Sequence, residues 1–153
     1  MLRVLWICLL FAGLPRLAVA ESPAVSVTDA WSRPATGTGV IYATLHNNAA
    51  VPDRLVGATS PLARHASLHK TSEMKMPGMT SMANMPMTGS MTSMKAVLSI
   101  PVPAHGTTSL APGGYHLMLD LRRDLKPGET VPLRLHFARA GWVSASAQVR
   151  PIR

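Results

Sequence analysis

The sequence predicts an all-β domain, an antiparallel sandwich or barrel, on three observations. Apolar and polar residues alternate with period two over short stretches, no stretch repeats at the helical period, and Gly, Pro, Asn and Asp clusters punctuate the chain about every ten residues. Thirteen prolines fit the same class, because proline is excluded from helix interiors. At 153 residues and 47% hydrophobic content the chain is long enough for one domain with a core, and hardly for two.

Residues 1–20 stand apart from that domain. Met1-Leu2-Arg3 is a short basic start, an apolar run covers residues 4–14, and Ala18-Val19-Ala20 precedes Glu21 in the pattern of a secretory cleavage site. The run is shorter than the roughly 20 residues that a membrane span needs. A signal peptide over 1–20 and a single β domain over 21–153 are therefore expected, with a periplasmic location and no integral membrane segment after processing. From residue 25 the predicted strands follow in order. Val25, Val27 and Ala30-Trp31 begin the first, and residues 40–46 alternate cleanly before Asn47-Asn48 and Pro52-Asp53 mark a turn. Further strands are expected over 54–59, 65–71, 95–100, 107–110, 115–121, 131–138 and 142–149. Pro112-Gly113-Gly114, Lys126-Pro127-Gly128 and Ala140-Gly141 separate the last four.

Composition removes several classes of function. Lys and Arg number 15 against seven acids, a net charge of +8, and loss of Arg3 and Arg16 with the signal leaves about +6. The basic residues are scattered rather than gathered into a helix or an aromatic-interleaved patch, which argues against nucleic acid and leaves a mild attraction to acidic partners or an anionic membrane surface. No Ser/His/acid set, paired carboxylates or phosphate loop is present, so no enzyme is indicated. The single cysteine, Cys8, lies within the signal, too early and beside Leu5-Trp6-Ile7 in the wrong company for a lipid-attachment site. The mature chain has no thiol, so a soft metal would have to be held by other groups.

The stretch 74–94, MKMPGMTSMANMPMTGSMTSM, supplies such groups, holding eight of the ten methionines and no Leu, Ile, Val, Phe, Trp or Tyr. Pro77, Gly78, Pro86 and Gly89 break both helical and strand periods, so the stretch reads as an exposed Met-rich loop inserted in the β domain. A thioether has no titratable proton and is a soft donor suited to Cu(I). The alternatives are a contact surface for another protein or a sacrificial oxidant. A contact surface would normally carry the aromatic and aliphatic residues that are missing here.

Two histidines gain interest from sulfur neighbours. In residues 115–121 period two places Leu117, Leu119 and Leu121 on one face, and His116, Met118 and Asp120 on the other, directed away from the core. In residues 65–70 Leu68 turns inward, while His65, Ser67 and His69 share the outer face just before the Met-rich stretch. His46 and His136 read as solvated strand positions and His105 as a loop residue, while His65 beside Arg64 is left as a spare ligand or a surface group.

The spacing Met94, twenty-one residues, His116-Leu117-Met118 resembles the M-x21-H-x-M pattern of the PCuAC family of periplasmic copper chaperones, with His69 preceding it. Asp29-Ala30-Trp31-Ser32-Arg33, Pro52-Asp53-Arg54-Leu55, Leu110-Ala111-Pro112-Gly113-Gly114-Tyr115-His116-Leu117-Met118-Leu119 and Leu125-Lys126-Pro127-Gly128-Glu129-Thr130-Val131-Pro132-Leu133 are similar to that family as well. The resemblance spans the mature chain. It implies a cupredoxin-like Greek-key β-sandwich or barrel that binds Cu(I), with Cu(II) as the second oxidation state, through His69, Met94, His116 and Met118. It also implies delivery of the ion to a copper-receiving protein, the copper centre of cytochrome c oxidase or one of its assembly factors.

Two departures bear on the ligand set. Twenty-four residues separate His69 from Met94, well over twice what the family pattern places there, and Lys70 stands where an acidic residue is common. The loop ligand is therefore open among Met94 and the further candidates Met74, Met76, Met79, Met82, Met85, Met87 and Met91. A blue-copper electron carrier is disfavoured, because its inner shell needs a cysteine thiolate. A periplasmic copper buffer and a Met-rich interaction module without metal remain as the other readings of the same residues.

Overall fold

The structure, a computed structural model, describes residues 24–74 and 91–151. The expected signal over 1–20, and Met76, Met79, Met82, Met85 and Met87, lie outside the described residues.

The alternating stretches become ten strands: β1 (Val25–Ser32), β2 (Thr38–Asn47), β3 (Asp53–Thr59), β4 (Ala63–Met74), β5 (Met91–Ala96), β6 (Ile100–Val102), β7 (Gly106–Leu110), β8 (Tyr115–Leu121), β9 (Thr130–Phe137) and β10 (Gly141–Val149). They form one sheet in the order β5-β4-β8-β7-β2-β1-β10-β9-β3-β6. β2 is shared: residues 38–41 pair with β8, and residues 43–47 pair with β7. The sheet folds over on itself, so that β3 lies against β4 and β6 against β7 without ladder pairing. The inward residues of both halves meet in one core, in which Ile41, Leu45, Leu117 and Leu119 face Leu55, Leu135, Phe137 and Val149, all fully or almost fully buried. The all-β Greek-key class is thus borne out, and among the described residues no helix is long and apolar enough to cross a membrane.

Three strand-level expectations are corrected. The sheet is mixed rather than antiparallel throughout, because β1 runs parallel to β10 through Trp31 and Ser32, and β7 meets β8 in parallel at one rung. The stretch 95–100 is two strands on different parts of the sheet, β5 and β6, joined by Val97, Leu98 and Ser99, with Leu98 almost wholly exposed. The Met-rich stretch is not a loop over its whole length. Met74 closes β4, and Met91 and Met94 lie on β5, in a hairpin whose rungs run from His69↔Ala96 to Met74↔Met91. The prolines and glycines that suggested a loop all lie between 77 and 89, and the flanking arms, Thr71-Ser72 and Thr92-Ser93, hold residues that a strand accepts.

The turn chemistry is backed by buried polar groups. Asn47 donates from Nδ2 to the carbonyls of Val51 and Val102, and its Oδ1 accepts from the Ala49 amide at 3.0 Å. Asp53, only 5% exposed, accepts from the amides of Arg54 (2.7 Å), Arg139 (2.9 Å) and Ala140 (2.9 Å), which ties the start of β3 to the β9–β10 turn.

Candidate functional site

The β4–β8 ladder decides what the predicted ligands can do together. His69 lies directly opposite His116, and Ser67 directly opposite Met118. On the other side of β4, His69 pairs with Ala96 and Thr71 with Met94. Alternation puts His69, Ser67, Thr71, Met94, His116 and Met118 on one face. Met118 and Met94 are then the diagonal neighbours of His69, within reach of long side chains at roughly 7–8 Å. All four residues named by the family resemblance come to one patch, with His69 at its centre.

The two imidazoles face each other with centroids 5.7 Å apart and planes 22° from parallel. Each ring is held at one nitrogen. His116 Nδ1 lies 3.2 Å from the Gly114 carbonyl, and because a carbonyl only accepts, Nδ1 carries the proton and Nε2 has the lone pair in the neutral ring. His69 Nε2 lies 2.9 Å from the Ser67 hydroxyl. The remaining nitrogens, His69 Nδ1 and His116 Nε2, are buried and make no hydrogen bond among the described residues. An unpaired buried polar atom costs on the order of 1–3 kcal/mol, a cost that a bound cation would relieve at both rings. Burial, and then the neighbouring His116, hold the His69 pKa below its ordinary value, so this ring is kept neutral, as a metal ligand must be.

His116 departs from its expected position off the core: it is only 3% exposed. It does share the face with Met118, but that face is walled. Tyr42 stands 6.5 Å away, Trp31 packs on Tyr42 at 4.7 Å, and the Arg150 guanidinium covers Trp31 at 5.1 Å. Trp31 reaches this wall through a bulge in β1 between Thr28 and Trp31, where Asp29 adopts φ 50°, a left-handed conformation that Asp tolerates. The Pro112-Gly113-Gly114 turn sets up the other end, with Gly113 at φ 81° and the Gly114 carbonyl accepting also from the Thr71 amide at 3.0 Å. Met118 and His69 are half-buried, and Met94 is 51% exposed.

The other sequence candidates fall elsewhere. Lys70 points to the opposite side, with its ammonium 5.2 Å over the Tyr115 ring, so it adds no charge beside the imidazoles. His65 is exposed opposite Asp120, whose carboxylate pairs with Arg64 at 3.5 Å. His46 and His136 are half-buried rather than simply solvated: His46 meets the Thr28 hydroxyl at 2.8 Å, and His136 stacks on Trp142 at 4.5 Å. Met74 and Met91 pair with each other at the far end of the hairpin. Sequence reasoning missed Ser67, Gly114, Tyr42 and Trp31. Ser67 and the Trp31 motif were both readable, the first from its place two residues before His69 on the same face.

Among the described residues no three His, Cys, Asp or Glu side chains group to hold a metal. A cation at this patch would therefore take two imidazoles and complete its shell with thioethers, a donor set that favours a soft monovalent ion over zinc or calcium.

Fold and patch together define a small Greek-key β domain with a His/Met cluster on one sheet face. The chain belongs to the LpqE-like family, whose description names a lipoprotein and whose model matches residues 25–149. A protein named in the lipoprotein class, Lxx21020 of Leifsonia xyli subsp. xyli, is 29% identical over 150 residues, covering 90% of this chain and 82% of that one. Among solved structures, the apo PCuAC domain of PmoF1 superposes with a TM-score of 0.64 at 23% identity, covering 86% of this chain and 98% of the domain, and so shares the fold. The Cu(I) form of DR1885 from Deinococcus radiodurans is 29% identical with a TM-score of 0.56, covering 88% of this chain and 83% of that one.

Proposed function

We propose that this protein is an exported copper chaperone that binds Cu(I) through His69, Met94, His116 and Met118 and passes it to a copper-receiving protein. The observation that carries this reading is the pair of facing imidazoles, each with one nitrogen held and one left buried without a partner among the described residues, flanked diagonally by two methionines. Four neutral donors leave the ion its single positive charge and form no bond that a thiolate or imidazole on a partner could not displace. Cu(I) has no ligand-field preference, so ligands can be exchanged one at a time. Met94, exposed on the edge strand β5, is the natural place for exchange to begin.

Support for copper comes also from the solved Cu(I) form of the 29% identical DR1885. Support for export comes from the signal-like residues 1–20 and from the lipoprotein description of the family. The copper centre of cytochrome c oxidase is the recipient we propose from the family resemblance, and the role is one of binding and transfer rather than catalysis.

Anaerobic titration with Cu(I) against a competing chelator, followed by X-ray absorption of the loaded protein, tests the binding. A first equivalent held in a mixed sulfur and nitrogen shell is expected. Failure to compete for Cu(I), or a shell of oxygen and nitrogen only, would overturn it. Delivery is tested by oxidase activity in a deletion strain grown at low copper, which should fall and recover with the intact gene. Loss of growth at high copper alone would instead assign the protein to copper buffering.

A further inference from the structure

We propose that Ser67 is a positioning residue that selects Nδ1 of His69 as its metal-facing nitrogen, so that copper is held asymmetrically, by Nδ1 of His69 and Nε2 of His116. The proposal rests on the copper-binding reading above and extends it from residues to atoms.

An imidazole offers either nitrogen to a metal, and the hydrogen bond made by the other nitrogen decides which one is free. At His116 the Gly114 carbonyl takes the Nδ1 proton, which leaves Nε2. At His69 the order is reversed, because the Ser67 hydroxyl lies 2.9 Å from Nε2 and, among the described residues, no partner lies within hydrogen-bonding reach of Nδ1. A proton on Nδ1 would be a buried N–H with no acceptor. A proton on Nε2 is donated to Ser67 Oγ and turns the Nδ1 lone pair into the site. Ser67 can serve in this way because it sits two residues before His69 on the same strand face, and its cross-strand partner is Met118.

The two anchors also differ in stiffness. The Gly114 carbonyl is fixed by its turn, in which the Gly114 amide bonds the Ala111 carbonyl at 3.0 Å, and it accepts from the Thr71 amide as well. The Ser67 hydroxyl is a rotor on a half-buried side chain. His116 is thus the fixed half of the site and His69 the adjustable half.

The test uses the purified protein labelled with 15N at histidine and loaded anaerobically with Ag(I), a redox-inert stand-in whose nuclear spin splits the nitrogen it touches. Splitting is expected at His69 Nδ1 and His116 Nε2, with Nε2–H at His69 and Nδ1–H at His116 before loading. Ser67→Ala should erase the tautomer preference of His69, leave the His116 signals unchanged and weaken Cu(I) binding about tenfold or more, while Ser67→Thr restores both. Splitting at His69 Nε2 overturns the proposal while copper binding stands, and so does a Ser67→Ala protein with the His69 tautomer and affinity of the wild type. Wild-type nitrogens that remain unsplit and unshifted show that no soft ion binds here, in which case the binding reading falls and this one with it. Should Ser67→Ala not fold, the wild-type splitting pattern and Ser67→Thr decide.

Discussion

Asp53 and the His69/His116 pair are polar groups that the same sandwich takes out of water, yet they are wired in opposite ways. Asp53 spends its carboxylate on three backbone amides from two separate chain segments, and it closes the β3 end of the sheet onto the β9–β10 turn. Each imidazole satisfies one nitrogen and leaves the other without a partner among the described residues. A buried polar group whose polar atoms are all hydrogen-bonded stabilises a fold, whereas one that leaves a polar atom without a partner costs stability and marks a place where an outside group can bind. The difference separates scaffold from site without reference to any relative.

That separation can be broken by substitutions that should move one property and leave the other. The largest effect is expected for the double change His116→Ala with Met118→Ala, which removes the fixed imidazole and the inner thioether. Cu(I) affinity should fall by about three orders of magnitude, or about 4 kcal/mol, while urea denaturation still shows one cooperative transition. Affinity within tenfold of the wild type would place the binding site elsewhere. Next comes Asp53→Ala, which strands three amides and should lower the unfolding free energy by about 3 kcal/mol with Cu(I) affinity unchanged. A parallel loss of affinity would show that the two regions are coupled rather than separate.

Acid separates the two regions by a smaller margin. Burial works to raise the Asp53 pKa, but the amides of Ala140, Arg54 and Arg139 and the Arg139 charge outweigh it and leave it lowered. The folded state then binds fewer protons than the unfolded chain, so the Asp53 contribution is intact above the ordinary carboxyl value of 3.8 and is lost as pH falls through the lower folded value. His69 is also lowered, so the unfolded chain takes up its proton as pH falls below the ordinary 6.5 while the folded chain resists, and stability declines from that point. Denaturation midpoints followed from pH 8 to 3 should show both declines. His69→Gln should flatten the upper one and Asp53→Asn the lower one, and an unchanged profile in either variant would remove that residue from the account.

Much of this arrangement was legible in the sequence. Strand positions followed from period two and turn residues, because the turns carry their own chemistry: Asn47 and Asp53 bind backbone locally, and Gly113 takes a positive φ that other residues resist. That His116 and Met118 share a face followed from the same alternation. What alternation could not say is how deep a face lies. His116 is buried because Tyr42 and Trp31 come from β2 and β1, and Trp31 arrives through a bulge that shifts the register at Asp29. Nor could it place the boundary between hairpin and loop in 74–94, since Met, Ser and Thr suit either. The pairing with β4 decides it, carrying Met94 beside Thr71 and hence next to His69.

Met94 gives the finest division within the site itself. It stands half-exposed on the edge strand, whereas Met118 is half-buried between β4 and β2. An exposed thioether loses less water on binding and is held less firmly, so Met94→Leu should weaken Cu(I) by about tenfold, or about 1.4 kcal/mol, with no change in unfolding free energy. Met118→Leu should weaken it by more. The variants also differ in kinetics, because the ligand that lets go first governs hand-off: copper removal by a chelator should speed up in Met94→Leu in step with its lost affinity. Equal affinity in Met94→Leu and the wild type would mean that another methionine of the stretch takes its place. Combining Met94→Leu with deletion of residues 75–90 then decides the point, because an affinity that falls only in the combined variant shows that Met94 and a methionine of the insert replace one another as the second thioether donor.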